Sequence, residues 1–211
     1  MSPGPEPALR VDCAVAVDSN GLVVFAGGTT GTTPLRTAYA CHLPETELRW
    51  SRLPDLAVRR HGCAGAWVKG AAYVVGGEYT DHHVGRELEH VSSSRLCTEV
   101  WKPGNQTWGR FPPPLCSRTF HSACEFKGCL VIAGGEALWE STPCCLVERW
   151  QPPNPLLGDP GWATWRHLPP LQHARSAAGF VHWPPYGLLI VGGRGEDGQP
   201  LASVELFDGS T

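Results

Sequence analysis

The chain has 211 residues, 42% of them apolar and 18% charged, with a net charge of −3 and only three lysines, Lys69, Lys102 and Lys127. That is enough apolar surface for a packed core, and it argues against disorder. It also lacks the clustered basic face that a nucleic-acid partner requires.

No apolar run approaches the ~20 residues of a membrane span, and the start, "MSPGPEPALR", has no apolar segment of a secretory signal. Nine cysteines at irregular spacings, with no repeated C-x-x-C, then point to reduced thiols in the cytoplasm or nucleus. Twenty-five glycines and twenty prolines indicate many tight turns rather than long helices.

In chain order, the first nine residues read as a flexible tail. Four similar apolar stretches follow: "GLVVFAGGT" from Gly21, "GAAYVVGGE" from Gly70, "GCLVIAGGE" from Gly128 and "GLLIVGGRG" from Gly187. Their glycine pairs are Gly27-Gly28, Gly76-Gly77, Gly134-Gly135 and Gly192-Gly193, spaced 49, 58 and 58 residues apart.

A tryptophan follows each of the first three pairs: Trp50, Trp108 and Trp165. After each comes a proline-leucine stretch ("WSRLPDL", "WGRFPPPL", "WRHLPPL") and then an arginine: Arg59 or Arg60, Arg118, and Arg175. From tryptophan to the next glycine pair the distance holds at 26, 26 and 27 residues, so insertions collect in the other half of each unit.

The units run about 10–56, 57–115, 116–172 and 173–211. The third divides into four short candidate strands, "FHSACEF", "LVIA", "CLVERW" and "TWRHL", which alternate apolar with small or polar residues between turn signals. The expected fold is all-β: a partial β-propeller of about four blades, each of four short antiparallel strands, with the last blade incomplete.

The glycine pairs, the apolar strands before them, the following tryptophans and the arginines together resemble the kelch-repeat family. "TEVWKPGNQTW" (98–108) and "SVELFDGST" (203–211) are similar to its third-strand segment. The resemblance implies tight blade packing at the glycine pairs and tryptophans that seal one blade to the next. It implies a ring of about six blades, which leaves open association with another chain to complete the propeller. It also implies a module that binds a protein partner through its rim loops. In the Kelch-like branch, such modules are the substrate-recognition part of cullin-RING ubiquitin-ligase adaptors.

Arg60, Arg118 and Arg175, with His121 and Ser176 beside them, are the expected partner contacts at the channel mouth. An intramolecular pair between blades is the alternative for the arginines.

Other chemistry finds little support in the sequence. The glycine pairs lack the lysine of a P-loop and open no helix, so a phosphate cradle is not expected. The insertion 78–90, with Asp81, His82, His83, Glu87 and His90, has no recurring ligand spacing, and no metal or cofactor is expected. No nucleophile motif is present, so no enzyme is expected. A sugar-modifying propeller enzyme of the sialic-acid epimerase type is the alternative. Its repeat-related charged candidates are Glu78, Glu136 and Arg194. A truncated product without independent function is a third reading.

Overall fold

A computed structural model describes residues 9–31, 33–43, 49–78, 98–137, 142–153, 158, 161 and 164–208. The tail, apart from Leu9, and the His/Asp/Glu-rich insertion, apart from Glu78, lie outside these residues.

The first blade is β1 (Ala14–Val17), β2 (Leu22–Ala26), β3 (Ala38–His42) and β4 (Ser51–Leu53), hydrogen-bonded in that order. The second is β5 (Ala64–Val68), β6 (Ala71–Val75), β7 (Thr98–Trp101) and β8 (Gly109–Arg110). The third opens with the two-residue β9 (Arg118–Thr119). It continues through β10 (Ser122–Phe126), β11 (Cys129–Ala133), β13 (Val147–Trp150) and β14 (Arg166–Leu168), while β12 (Glu136–Ala137) pairs with β9. The fourth is β15 (Gly179–Trp183), β16 (Gly187–Val191) and β17 (Val204–Phe207). All neighbouring strands are antiparallel. The described residues contain no helix. The fold is therefore a four-blade β-propeller whose fourth blade has three strands among the described residues.

Two of the inner hairpins show how the local sequence sets the register. Lys69-Gly70 and Lys127-Gly128 are two-residue loops with positive φ at both positions (45° and 78°, 50° and 74°). That is the turn whose twist matches the flanking strands, and glycine at its second position relieves the steric cost.

The first strands β1, β5, β10 and β15 pack side by side around the axis. The core lies between blades. One cluster joins Tyr73 and Val75 of blade two to Leu130, Ile132, Trp150 and Trp165 of blade three. Another joins Val131, Ala133 and Val147 to Leu188 and Ile190 of blade four. β6 and β11 are buried on both faces, so each reads as an unbroken apolar run.

Candidate functional site

The axis end where each first strand begins and each second strand ends gathers the repeat's chemistry. Arg60, Arg118 and Arg175 enter there and turn inward. All three are no more than 1% exposed. Arg60 Nη2 meets Glu99 Oε1 at 2.5 Å, and Arg175 Nη2 meets Glu205 Oε1 at the same distance. Arg118 pairs with Glu148.

In Arg118 and Arg175 the remaining donors are used as well. Arg118 Nη1 donates to the carbonyls of Gly134 and Leu146, and Arg175 Nη1 to those of Gly192 and Ser203. A buried guanidinium that already holds a carboxylate and two carbonyls has no face left for a partner. The expectation of a rim contact by Arg60, Arg118 and Arg175 is thereby corrected to an internal ion pair. The pair lies within a blade, from its entry to its third strand, rather than between blades.

His121 and Ser176 are also buried, at 5% and 2% exposure. Ser176 Oγ donates to Glu136 Oε1 at 2.8 Å. His121 fits between Gly76 of blade two and Gly135 of its own blade. Burial, with Arg118 nearby, pushes its imidazole down to about 3. It stays neutral at physiological pH.

A fourth arginine escaped the sequence reading. Arg10 Nη1 donates to Gly27 O (2.9 Å) and Thr37 O (3.0 Å), the positions that Gly134 and Leu146 occupy for Arg118. Its spacing was a usable signal: Arg10 lies 17 residues before Gly27, as Arg175 lies 17 before Gly192. The glutamate partners were missed too, although each stands two residues before an aromatic in "TEVW", "VERW" and "VELF". In blade one Tyr39 takes the glutamate's place, and the Arg10 guanidinium lies 5.1 Å from its ring centroid.

These glutamates also tie successive units together. The backbone N–H of Ala57 donates to Glu99 Oε2, that of Leu115 to Glu148 Oε2 and that of Gln172 to Glu205 Oε2, at 2.8, 2.7 and 2.6 Å. Against the burial that would raise it, the N–H groups of Gln172 and His173 and the Arg175 charge hold the Glu205 carboxyl below its ordinary value.

The tryptophans fasten the same linkers. Trp108 Nε1 donates to Pro54 O of blade one at 2.8 Å, and Trp165 Nε1 to Pro112 O of blade two at 2.7 Å. Trp50 packs edge-on against Phe25 of its own blade.

The glycine pairs complete the seam. Gly28, Gly77 and Gly135 each donate a backbone N–H to the carbonyl of the next blade's arginine: Arg60, Arg118 and Arg175. A Cβ at Gly27, Gly76 or Gly134 would stand 2.9, 2.6 or 2.3 Å from that same carbonyl oxygen. The glycines are there for backbone approach.

The chain is 34% identical over 138 residues to an F-box/kelch-repeat protein of Arabidopsis thaliana, a match covering 65% of this chain and 34% of that protein. Over 205 residues, 95% of this chain and 31% of the relative, it is 27% identical to Kelch-like protein 35 of Mus musculus. The matching relatives are kelch-repeat proteins, and the repeats here resemble theirs.

No protein-family model matches the chain. The chain spans about a third of the length of these two relatives. The structure of YjhT superposes on 94% of this chain and 61% of its own, with a TM-score of 0.70 and 14% sequence identity, a likeness in fold alone.

With the arginines inside the blades, other side chains stand at this axis end. The residue after each glycine pair bridges the residue after each arginine: Thr29 with Val11, Glu78 with His61, Glu136 with Thr119, and Arg194 with Ser176. Glu78 and Glu136 are half-buried and Arg194 is exposed. No two described cysteines are joined in a disulfide. Burial pushes Cys63 up to about 11, which leaves it protonated and unreactive near neutrality.

Proposed function

We propose that the chain is a protein-interaction module whose partner docks at the axis end lined by Glu78, Glu136 and Arg194. One observation carries this. The bridge after the glycine pair recurs in all four blades, yet its residue changes from a buried Thr29 to the half-buried Glu78 and Glu136 to an exposed Arg194. Varied side chains on a repeated rigid frame are what a recognition surface requires. The partner segment then carries a basic group for the two carboxylates and an acidic group for Arg194.

The resemblance to the Kelch-like branch supports a substrate-recognition role in a cullin-RING ubiquitin-ligase adaptor, acting in the cytoplasm or nucleus. The enzyme alternative rests on the same three charged residues.

The test is affinity capture with the wild-type chain and with a Glu78→Lys, Glu136→Lys, Arg194→Glu triple variant. The variant is expected to lose the captured proteins while still unfolding in a single cooperative transition. Retention of every captured protein by a folded variant would overturn the assignment.

A further inference from the structure

We infer that Phe120 selects the partner's side chain at this axis end, and that the side chain it selects is an arginine. The inference rests on the docking surface proposed above and names what that surface holds.

The residue two places after each repeat arginine is Asp12, Gly62, Phe120 and Ala177 in turn. All four have a positive φ, of 57°, 62°, 53° and 51°. Main-chain hydrogen bonds chain them across the blades. The N–H of Gly62 donates to Asp12 O at 2.9 Å, that of Phe120 to Gly62 O and that of Ala177 to Phe120 O, both at 2.8 Å. The fold therefore sets a left-handed residue at this place in every blade. Glycine adopts it without strain, as at Gly62. A bulky phenylalanine adopts it at a steric cost, and costs of this kind cluster at ligand sites.

Gly62 and Phe120 are complementary. A Cβ at Gly62 would stand 3.3 Å from Phe120 Cε1, so the missing side chain in blade two makes room for the ring of blade three. The His61 ring lies 6.3 Å from that of Phe120, tilted by 56°. Both residues are half-buried, so the ring pair keeps part of its surface open to solvent.

Carboxylates flank this aromatic pair. Glu78 is bridged to His61, and Glu136 to Thr119, the residue before Phe120. Ser176 Oγ steadies Glu136 by donating to its Oε1 at 2.8 Å. The exposed Asp12 adjoins Gly62 in the hydrogen-bonded chain. A π-face beside carboxylates suits a cation that is flat and weakly hydrated. A guanidinium stacks on the ring while offering paired N–H donors to a carboxylate. An ammonium is a compact, strongly hydrated point charge and does neither as well.

The probes are N-acetyl-arginine amide, N-acetyl-lysine amide and N-acetyl-citrulline amide. Each is titrated into the isotope-labelled full chain and followed by amide chemical shifts. The arginine probe is expected to saturate shifts at Gly62, Phe120 and Ala177 and to bind at least about fivefold more tightly than the lysine probe. The citrulline probe has nearly the same shape without the charge, and no saturable shift is expected from it. Phe120→Leu is expected to abolish the preference for arginine over lysine and Phe120→Trp to keep it, a difference that a merely structural role would not produce.

Equal affinity for the arginine and lysine probes, saturable binding of the citrulline probe, or shifts confined to residues away from Gly62 and Phe120 would each overturn the inference. So would an arginine preference that survives in a folded Phe120→Leu variant. The three probes on the wild-type chain decide the matter even where a variant does not fold. None of these outcomes touches the docking surface itself, which falls only if the Glu78→Lys, Glu136→Lys, Arg194→Glu variant retains every captured protein.

Discussion

Arg60 and Glu99 meet at 2.5 Å across 39 residues of sequence, both almost wholly removed from solvent. The same relationship recurs between Arg118 and Glu148 and between Arg175 and Glu205, so each of these blades closes on its own buried charge pair. Removing one partner strands the other charge in an apolar seam, which is the costly way to break such a pair.

Arg118→Leu is accordingly expected to lower stability by about 3–5 kcal/mol in denaturant unfolding. The double variant Arg118→Leu, Glu148→Leu should recover much of that loss, because no uncompensated charge remains. Equal loss in both variants would mean that the pair's attraction, and not the stranded charge, sets the cost.

The three repeat tryptophans are expected to differ in weight. Trp165 is 2% exposed and fastened to Pro112 of the preceding blade. Trp165→Ala should cost about 3–5 kcal/mol. Trp50 is only partly buried and packs on its own blade. Trp50→Ala should cost less than half as much by the same measurement.

Gly134 and Gly192 both have φ of 63°, which makes them a matched test of backbone approach. Alanine pays about 1–2 kcal/mol for that conformation at either site. At Gly134 the added Cβ would also meet Arg175 O at 2.3 Å, whereas at Gly192 the nearest atom is 3.4 Å away. Thermal unfolding should show Gly134→Ala to be clearly the worse of the two. Equal shifts would mean that the blade seam widens without cost.

His121 should make stability pH-dependent. Its imidazole protonates at about 3 in the folded chain, against 6.5 when unperturbed. Between those values the unfolded chain holds a proton that the folded chain does not. Stability therefore falls as pH drops from 6.5 towards 3, by up to ~1.4 kcal/mol per pH unit from this group. His121→Cys, which installs the residue found at the equivalent Cys63, should flatten that part of the profile in unfolding measured from pH 7 to 4. An unchanged slope would assign the acid sensitivity to other groups.

The period and the blade count were legible in the sequence. Four glycine pairs in step with three tryptophans leave one architecture that buries such short apolar strands. The third unit's four strands fall within two or three residues of where alternation and turn residues place them. The positive φ of the glycines follows from residue type and local strain alone.

Which way the arginines face was not legible. A strand start at a channel mouth can send a guanidinium outward or fold it back, and the choice turns on whether a carboxylate waits inside. Glu99, Glu148 and Glu205 come 30 to 39 residues later, on third strands reached through variable insertions. Only the folded blade brings them under the arginine. Once it does, the charges are satisfied internally, and the proposed docking surface falls to Glu78, Glu136 and Arg194. Sequence by itself determined the repeat, because short-range turn chemistry and strand periodicity are local. The tertiary structure alone decided which charged residues are frame and which are surface, because burial depends on partners that the chain supplies from afar.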